Sequence, residues 1–192
     1  MKRVGVLGGT FDPIHIGHLI AASEAHSQLN LTEVLFVPAG NPWQKAGQSI
    51  SSAEQRLAMV QLAIAEDERF SVSDIEVRRA GPSYAIETFE ELSAQNPDFE
   101  FVWILGADVL SRIDTWHRWQ EFVALVPIAV VNRQSSRSEL VIDYQEVQIP
   151  KVGISATELR RRYSVGETTK YLVPDPVDDY IRTNKLYQSL ES

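Results

Sequence analysis

Residues 8–18, Gly-Gly-Thr-Phe-Asp-Pro-Ile-His-Ile-Gly-His, constrain the fold more than any other part of the chain. They follow an apolar run, Val4 to Leu7, that reads as a buried strand, and they precede a helical pattern from Leu19 to Leu29. A strand, a glycine-bearing loop and a helix start, in that order, aim backbone N–H groups and the positive end of a helix dipole at one point. Such a point favours a phosphate. His15 and His18 lie three residues apart in this segment and are two of the four histidines in the chain. Once a helix begins, that spacing brings both rings to one side. Gly17, between them, lets a ligand approach the backbone closely.

The rest of the chain continues the alternation. Further strands are expected at Val34–Val37, Phe70–Val77, Phe99–Leu105, Ile128–Val131 and Val147–Ile149. Helices are expected at 53–65, 84–94, 116–126, 156–163 and 175–183. Ser52 with Gln55, and Ser155 with Glu158, have capping-box spacing. Strands separated by helices imply βαβ units and a mostly parallel sheet. Right-handed crossovers make it an α/β, doubly wound, Rossmann-like sheet with helices on both faces. Ligands of such sheets bind beyond the carboxyl ends of the strands. Loops 8–18, 38–47, 106–116 and 153–160, with the turn at 81–88, should therefore gather around one site.

A length of 192 residues suits a single domain over 1–192, with a helical C-terminal part from about 153 to 192. A hydrophobic content of 44% and a charged content of 23% are those of a globular protein. The net charge of −8 argues against nucleic acid as a partner, because phosphate backbones select basic surfaces. With no cysteine, the chain has no disulfide, no thiolate catalysis and no cysteine-ligated zinc. The first strand begins at once, so no signal peptide is expected. The most apolar run, Phe122 to Val131, is too short for a bilayer and contains Pro127. No membrane partner and a cytoplasmic setting are the expectations. The Walker A pattern, the GxGxxG fingerprint and the GxSxG elbow are all absent, which disfavours a P-loop kinase, an ordinary dehydrogenase and acyl transfer.

Gly-Gly-Thr-Phe-Asp-Pro-Ile-His-Ile-Gly-His resembles the HxGH signature of the nucleotidyltransferase superfamily, in the form found in bacterial nicotinate-nucleotide adenylyltransferases. Residues 154–160, Ile-Ser-Ala-Thr-Glu-Leu-Arg, are similar to that family's ISSTxIR motif, and residues 83–88, Ser-Tyr-Ala-Ile-Glu-Thr, to its SYTxxTL element. Gly106-Ala107-Asp108 looks like its GxD element, and Tyr171-Leu172-Val173-Pro174 like its C-terminal end. Lys45 stands where the family has a lysine, within Asn41-Pro42-Trp43-Gln44-Lys45, and Gln44 occupies the usual histidine position. The likeness covers nearly the whole chain and is weakest at 132–150.

The resemblance implies transfer of the adenylyl group of ATP to nicotinate mononucleotide, giving deamido-NAD and pyrophosphate. It implies Mg²⁺ held mainly by the ATP phosphates, with no metal site on the protein. It assigns catalysis to His15, His18, Lys45 and Arg160. It assigns ATP binding to Gly8, Gly9, Thr10, Phe11, Gly17, Gly106, Asp108, Ser155 and Thr157. Ser83, Tyr84, Thr88 and Trp116 then border the mononucleotide. Plainer readings stand beside these: Lys45 as a solvated surface cation, Asp108 and Ser155 as helix caps, and Trp116 as core. Trp103 reads as core, and His26 and His117 as ordinary helix or surface residues. A sister enzyme such as phosphopantetheine adenylyltransferase shares the histidine loop. A non-catalytic nucleotide-sensing module would keep the phosphate site without turnover. A homo-oligomer is compatible with all three.

Overall fold

Strand β1 (Lys2–Gly9) contains the apolar run and lies near the middle of a six-stranded sheet. The computed structural model describes residues 1–45, 47–132 and 142–188. Helix α1 (Ile16–Gln28) follows β1, then come β2 (Glu33–Pro38), a single 3-10 turn at Trp43–Lys45, α2 (Ala53–Ile64) and β3 (Phe70–Val72). Next are α3 (Ile75–Arg78), α4 (Ala85–Gln95), β4 (Phe99–Gly106), α5 (Ala107–Leu110) and a 3-10 turn at Ile113–Thr115. The chain continues through α6 (Trp119–Leu125), β5 (Ile128–Asn132), β6 (Gln145–Gln148), α7 (Ala156–Val165) and α8 (Asp175–Thr183).

The strand order is β3-β2-β1-β4-β5-β6, and every neighbouring pair is parallel. The first three strands step outward on one side, and the chain then returns to lay β4 against β1. That reversal is the switch point at which a doubly wound sheet opens a crevice. Side chains alternate across the sheet, as strand geometry requires. Val4, Val6, Phe101 and Trp103 share a core with α4 and α6, while Leu7, Phe36, Val102 and Ile104 pack against α1, α2, α7 and α8. Each large apolar side chain sealed in these layers contributes about 1.5–3 kcal/mol.

Three elements depart clearly from the sequence expectation. The strand expected over 70–77 ends at Val72, because the Ser73 hydroxyl accepts the Ile75 N–H (3.3 Å) and the chain turns into α3. The helix expected from Trp116 starts only at Trp119: Arg118 has φ 51°, a left-handed conformation that interrupts helical hydrogen bonding. The last strand is shifted to 145–148. Residues 133–141, within the weakest stretch of the resemblance, lie outside the described residues. Among the described residues no helix is long and apolar enough to cross a membrane.

Candidate active site

A cleft of about 860 Å³ opens at the carboxyl ends of β1, β2, β4 and β5 and against the start of α7. Every expected site residue lines it except Thr88. Its floor is the β1–α1 loop. The Phe11 ring lies over Gly9, where an added Cβ would stand 3.0 Å from ring carbons, so the ring packs tightly onto this glycine. Phe11 itself is buried, with φ 52°.

His15 is the residue immediately before α1, and His18 sits in the first turn. Their rings stack with centroids 3.8 Å apart and planes at 23°, and Phe11 meets His18 edge-on at 5.1 Å. The expected sharing of one side by the two imidazoles is borne out. The backbone N–H of His15 donates to His18 Nδ1 (3.2 Å). A neutral imidazole with an acceptor at Nδ1 carries its proton on Nε2, so His18 has a donor on its far edge. The start of α1 is pinned from outside, since Ile16 N–H donates to the Leu172 carbonyl (3.0 Å).

Arg160 reaches across from α7. Its Nη1 donates to the Asp12 carbonyl (2.7 Å) and its Nη2 to the Thr157 hydroxyl (3.3 Å). The guanidinium is therefore preset at the loop that carries the histidines. Ser155 caps α7 by accepting the Glu158 N–H (3.2 Å). The reciprocal half of that expected capping box is not made, because the Glu158 carboxylate pairs with Arg161 and Arg162. Those bonds hold its pKa down, to about 2. The Ser52–Gln55 box at α2 forms in full. Lys45 ends the 3-10 turn on the opposite lip. Asp108 lies within α5 and does not cap it. Gly106 takes the capping position, and an added Cβ there would stand 2.6 Å from Asp108 Oδ1.

The other end of the cleft is aromatic. Trp116 is half-buried, packs on Phe122 (5.7 Å) and lines the cleft, so the core and site readings both apply to it. Its Nε1 is buried with no hydrogen-bond partner among the described residues. Tyr84 stacks on His117 (4.4 Å, 27°), and both face the cleft. His117 is exposed, as a surface residue would be, and also forms part of the cleft's wall, which the sequence reading did not include. Trp103 is core, as expected, edge-on to Phe122. Thr88 is fully buried, and its hydroxyl donates to Glu76 Oε1 (2.6 Å), so it stands behind the site and is not in its lining.

Sequence reasoning missed the groups that hold the loops. Arg56, 1% exposed, donates to the carbonyls of Ser51 (3.1 Å), Thr10 (2.8 Å) and Gly40 (3.1 Å). Burial lowers its pKa, and the nearby Asp12 charge opposes that shift. Asp12, 2% exposed, accepts from the Ser51 N–H and from Tyr187 Oη. Glu76, 7% exposed, reaches the cleft from α3, and burial raises its pKa. The available signal was charge at positions whose helix neighbours are core: Arg56 lies three and four residues before Met59 and Val60, on the buried face of α2.

Three comparisons bear on this site. A cytidylyltransferase-like family model matches residues 6–162. A Saccharopolyspora erythraea protein named probable nicotinate-nucleotide adenylyltransferase is 44% identical over 97% of this chain and 90% of its own. One of the same name from Symbiobacterium thermophilum is 42% identical over 100% and 98%. In fold, the chain is similar to a Plasmodium falciparum nicotinic acid mononucleotide adenylyltransferase complexed with NaAD. The TM-score is 0.80 at 20% identity, covering 97% and 98% of the two chains. The chain belongs to the cytidylyltransferase-like family and, within it, to the nicotinate-nucleotide adenylyltransferases.

Proposed function

We propose that the chain transfers the adenylyl group of ATP to nicotinate mononucleotide, forming deamido-NAD and releasing pyrophosphate. The observation that carries this reading is the stacked His15–His18 pair, which shares one cleft with the glycine loop, Arg160 and an aromatic slot. A phosphate-binding end and a ring-binding end in one crevice suit the joining of two nucleotides. The curated relatives' names point the same way.

The mononucleotide phosphate oxygen attacks the α-phosphorus in line. The bond from that phosphorus to the bridging oxygen breaks, and its electrons leave with pyrophosphate. No protein nucleophile is needed, because the attacking phosphate is already anionic. Catalysis is then positioning and charge stabilisation. Backbone amides of residues 8–11 cradle the triphosphate. The His18 Nε2–H and His15 hydrogen-bond oxygens on which charge builds. Arg160, held by Asp12 and Thr157, and Lys45 neutralise the same region. Asp108 takes the ribose hydroxyls, and Trp116 stacks on the pyridine ring. Of the expected mononucleotide contacts, Thr88 acts only through what it holds.

Among the described residues no three His, Asp or Glu side chains are grouped to bind a metal ion. In this reading a divalent cation, Mg²⁺, would be held mainly by the ATP phosphates and would supply charge neutralisation there. The partners are the two small phosphorylated substrates, and the setting is the cytoplasm. A pyrophosphate-release assay with ATP and each acceptor tests the proposal. Turnover with nicotinate mononucleotide and none with phosphopantetheine is the expected result. The reverse pattern, or ATP binding with no turnover on either acceptor, overturns it.

A further inference from the structure

We propose that Arg112 recognises the carboxylate on the pyridine ring of the mononucleotide and so sets a preference for nicotinate over nicotinamide. The inference rests on the function proposed above and goes beyond it to the choice of acceptor. Among the described residues, Arg112 is the one arginine whose side chain makes no hydrogen bond or ion pair. The others are engaged: Arg118 pairs with Glu90 and Glu121, Arg79 with Glu91, and Arg160 donates to the Asp12 carbonyl and the Thr157 hydroxyl. Asp108 lies four residues before Arg112 and Asp114 two after it, yet neither pairs with it. The Arg112 side chain is exposed and lines the cleft. A guanidinium left unpaired there is available to an anionic ligand.

The place of Arg112 in the fold narrows the choice of anion. Arg112 and Trp116 are the two ends of one tight turn. The Arg112 carbonyl accepts the Thr115 N–H (3.1 Å) and the Thr115 hydroxyl (2.7 Å), and the Trp116 N–H donates to the Ile113 carbonyl (3.0 Å). Ile113, fully buried, plugs the turn into the core beneath β4. One fixed turn therefore brings both a free cation and the ring-stacking indole to the cleft. The triphosphate end is already served by Arg160, Lys45 and the loop amides, so the anion left for Arg112 is the one carried by the pyridine ring. A guanidinium offers donors only, in a planar fork that fits both oxygens of a carboxylate. A carboxamide has no charge and one acceptor oxygen, and its NH₂ would face a second donor. It forfeits one of the two bonds and leaves the fork half-used.

Arg112→Gln tests this, with nicotinate and nicotinamide mononucleotides compared as acceptors. The side chain is exposed and the turn is closed by backbone groups and Thr115, so the variant should fold. Its kcat/KM for nicotinate mononucleotide should fall about tenfold, while kcat/KM for nicotinamide mononucleotide and the KM for ATP stay within about twofold of wild type. An equal loss with both acceptors would put Arg112 on the mononucleotide phosphate, and a rise confined to the KM for ATP would put it on the triphosphate. Either result overturns the proposal, as does no change. Wild type that adenylylates both mononucleotides equally well also overturns it, while leaving the adenylyl-transfer reading intact. Should wild type turn over neither, calorimetric titration of each mononucleotide into the substrate-free chain decides. Nicotinate mononucleotide should then bind wild type about tenfold more tightly than Arg112→Gln, with nicotinamide mononucleotide alike in both. Equal binding of nicotinate mononucleotide to the two proteins overturns the proposal.

Discussion

Tyr187 Oη donates a 2.6 Å hydrogen bond to Asp12 Oδ1, joining positions 175 residues apart. The Asp12 carbonyl is the acceptor that aims Arg160, so the C-terminal segment, the histidine loop and α7 meet at one residue. Burial and the Asp12 charge push the Tyr187 phenol pKa well up, so it acts as a donor throughout the working pH range. Tyr187→Phe removes a bond to a charged group, which costs about 1.5 kcal/mol. That corresponds to a Tm loss of roughly 3–6 °C for a chain of this size. kcat should fall severalfold as Asp12 loses its support. A thermal melt and a steady-state assay check both effects, and an unchanged kcat would separate Tyr187 from the site.

His18→Ala should lower kcat by ~10²-fold or more, the usual cost of removing one preorganised donor. The fold should survive, since His18 is half-buried and its ring contacts are with His15 and Phe11. Comparing rates with a circular dichroism melt checks this. A near-normal rate would remove His18 from the catalytic group.

Arg56→Met should destabilise by about 3 kcal/mol in denaturant unfolding, because three buried carbonyls lose their donor and Asp12 loses a nearby charge. Equal stability to wild type would mean that water replaces the guanidinium fully.

The two shells of this site differ in how far the sequence disclosed them. The residues that face the cleft were legible because they cluster in short segments: 8–18, 83–84, 106–108 and 154–160 each occupy one loop or helix start. The supporting shell was not, because its partners are far apart in the chain. Arg56 sits 46 residues from Thr10, and Tyr187 sits 175 from Asp12. No local pattern records such pairs. Thr88 was grouped with Ser83 and Tyr84 through the likeness of 83–88 to the SYTxxTL element, yet α4 turns it inward. The parallel, doubly wound sheet followed from the alternation of elements, whereas the strand order emerged only from the structure, and the ends of β3 and α6 depended on Ser73 and on the left-handed Arg118.

Acid sensitivity should trace in part to Asp178. Burial works to raise its pKa, but Arg182 and the hydroxyls of Thr169 and Tyr163 outweigh that and hold it below the usual carboxylate range. A depressed folded-state pKa gives stability that is present above the ordinary carboxylate value and lost as pH falls through the lowered one. Asp178→Asn should therefore melt a few degrees below wild type at pH 7, with the gap closing toward pH 3. A gap that stays constant with pH would contradict this role.

The most direct test of the account is the stereochemical course at the α-phosphorus, followed with ATP chiral at that centre. Direct attack within the His15–His18 site predicts inversion of configuration in the dinucleotide product. Retention would mean two displacements through a nucleotidyl-enzyme intermediate, and would contradict the account.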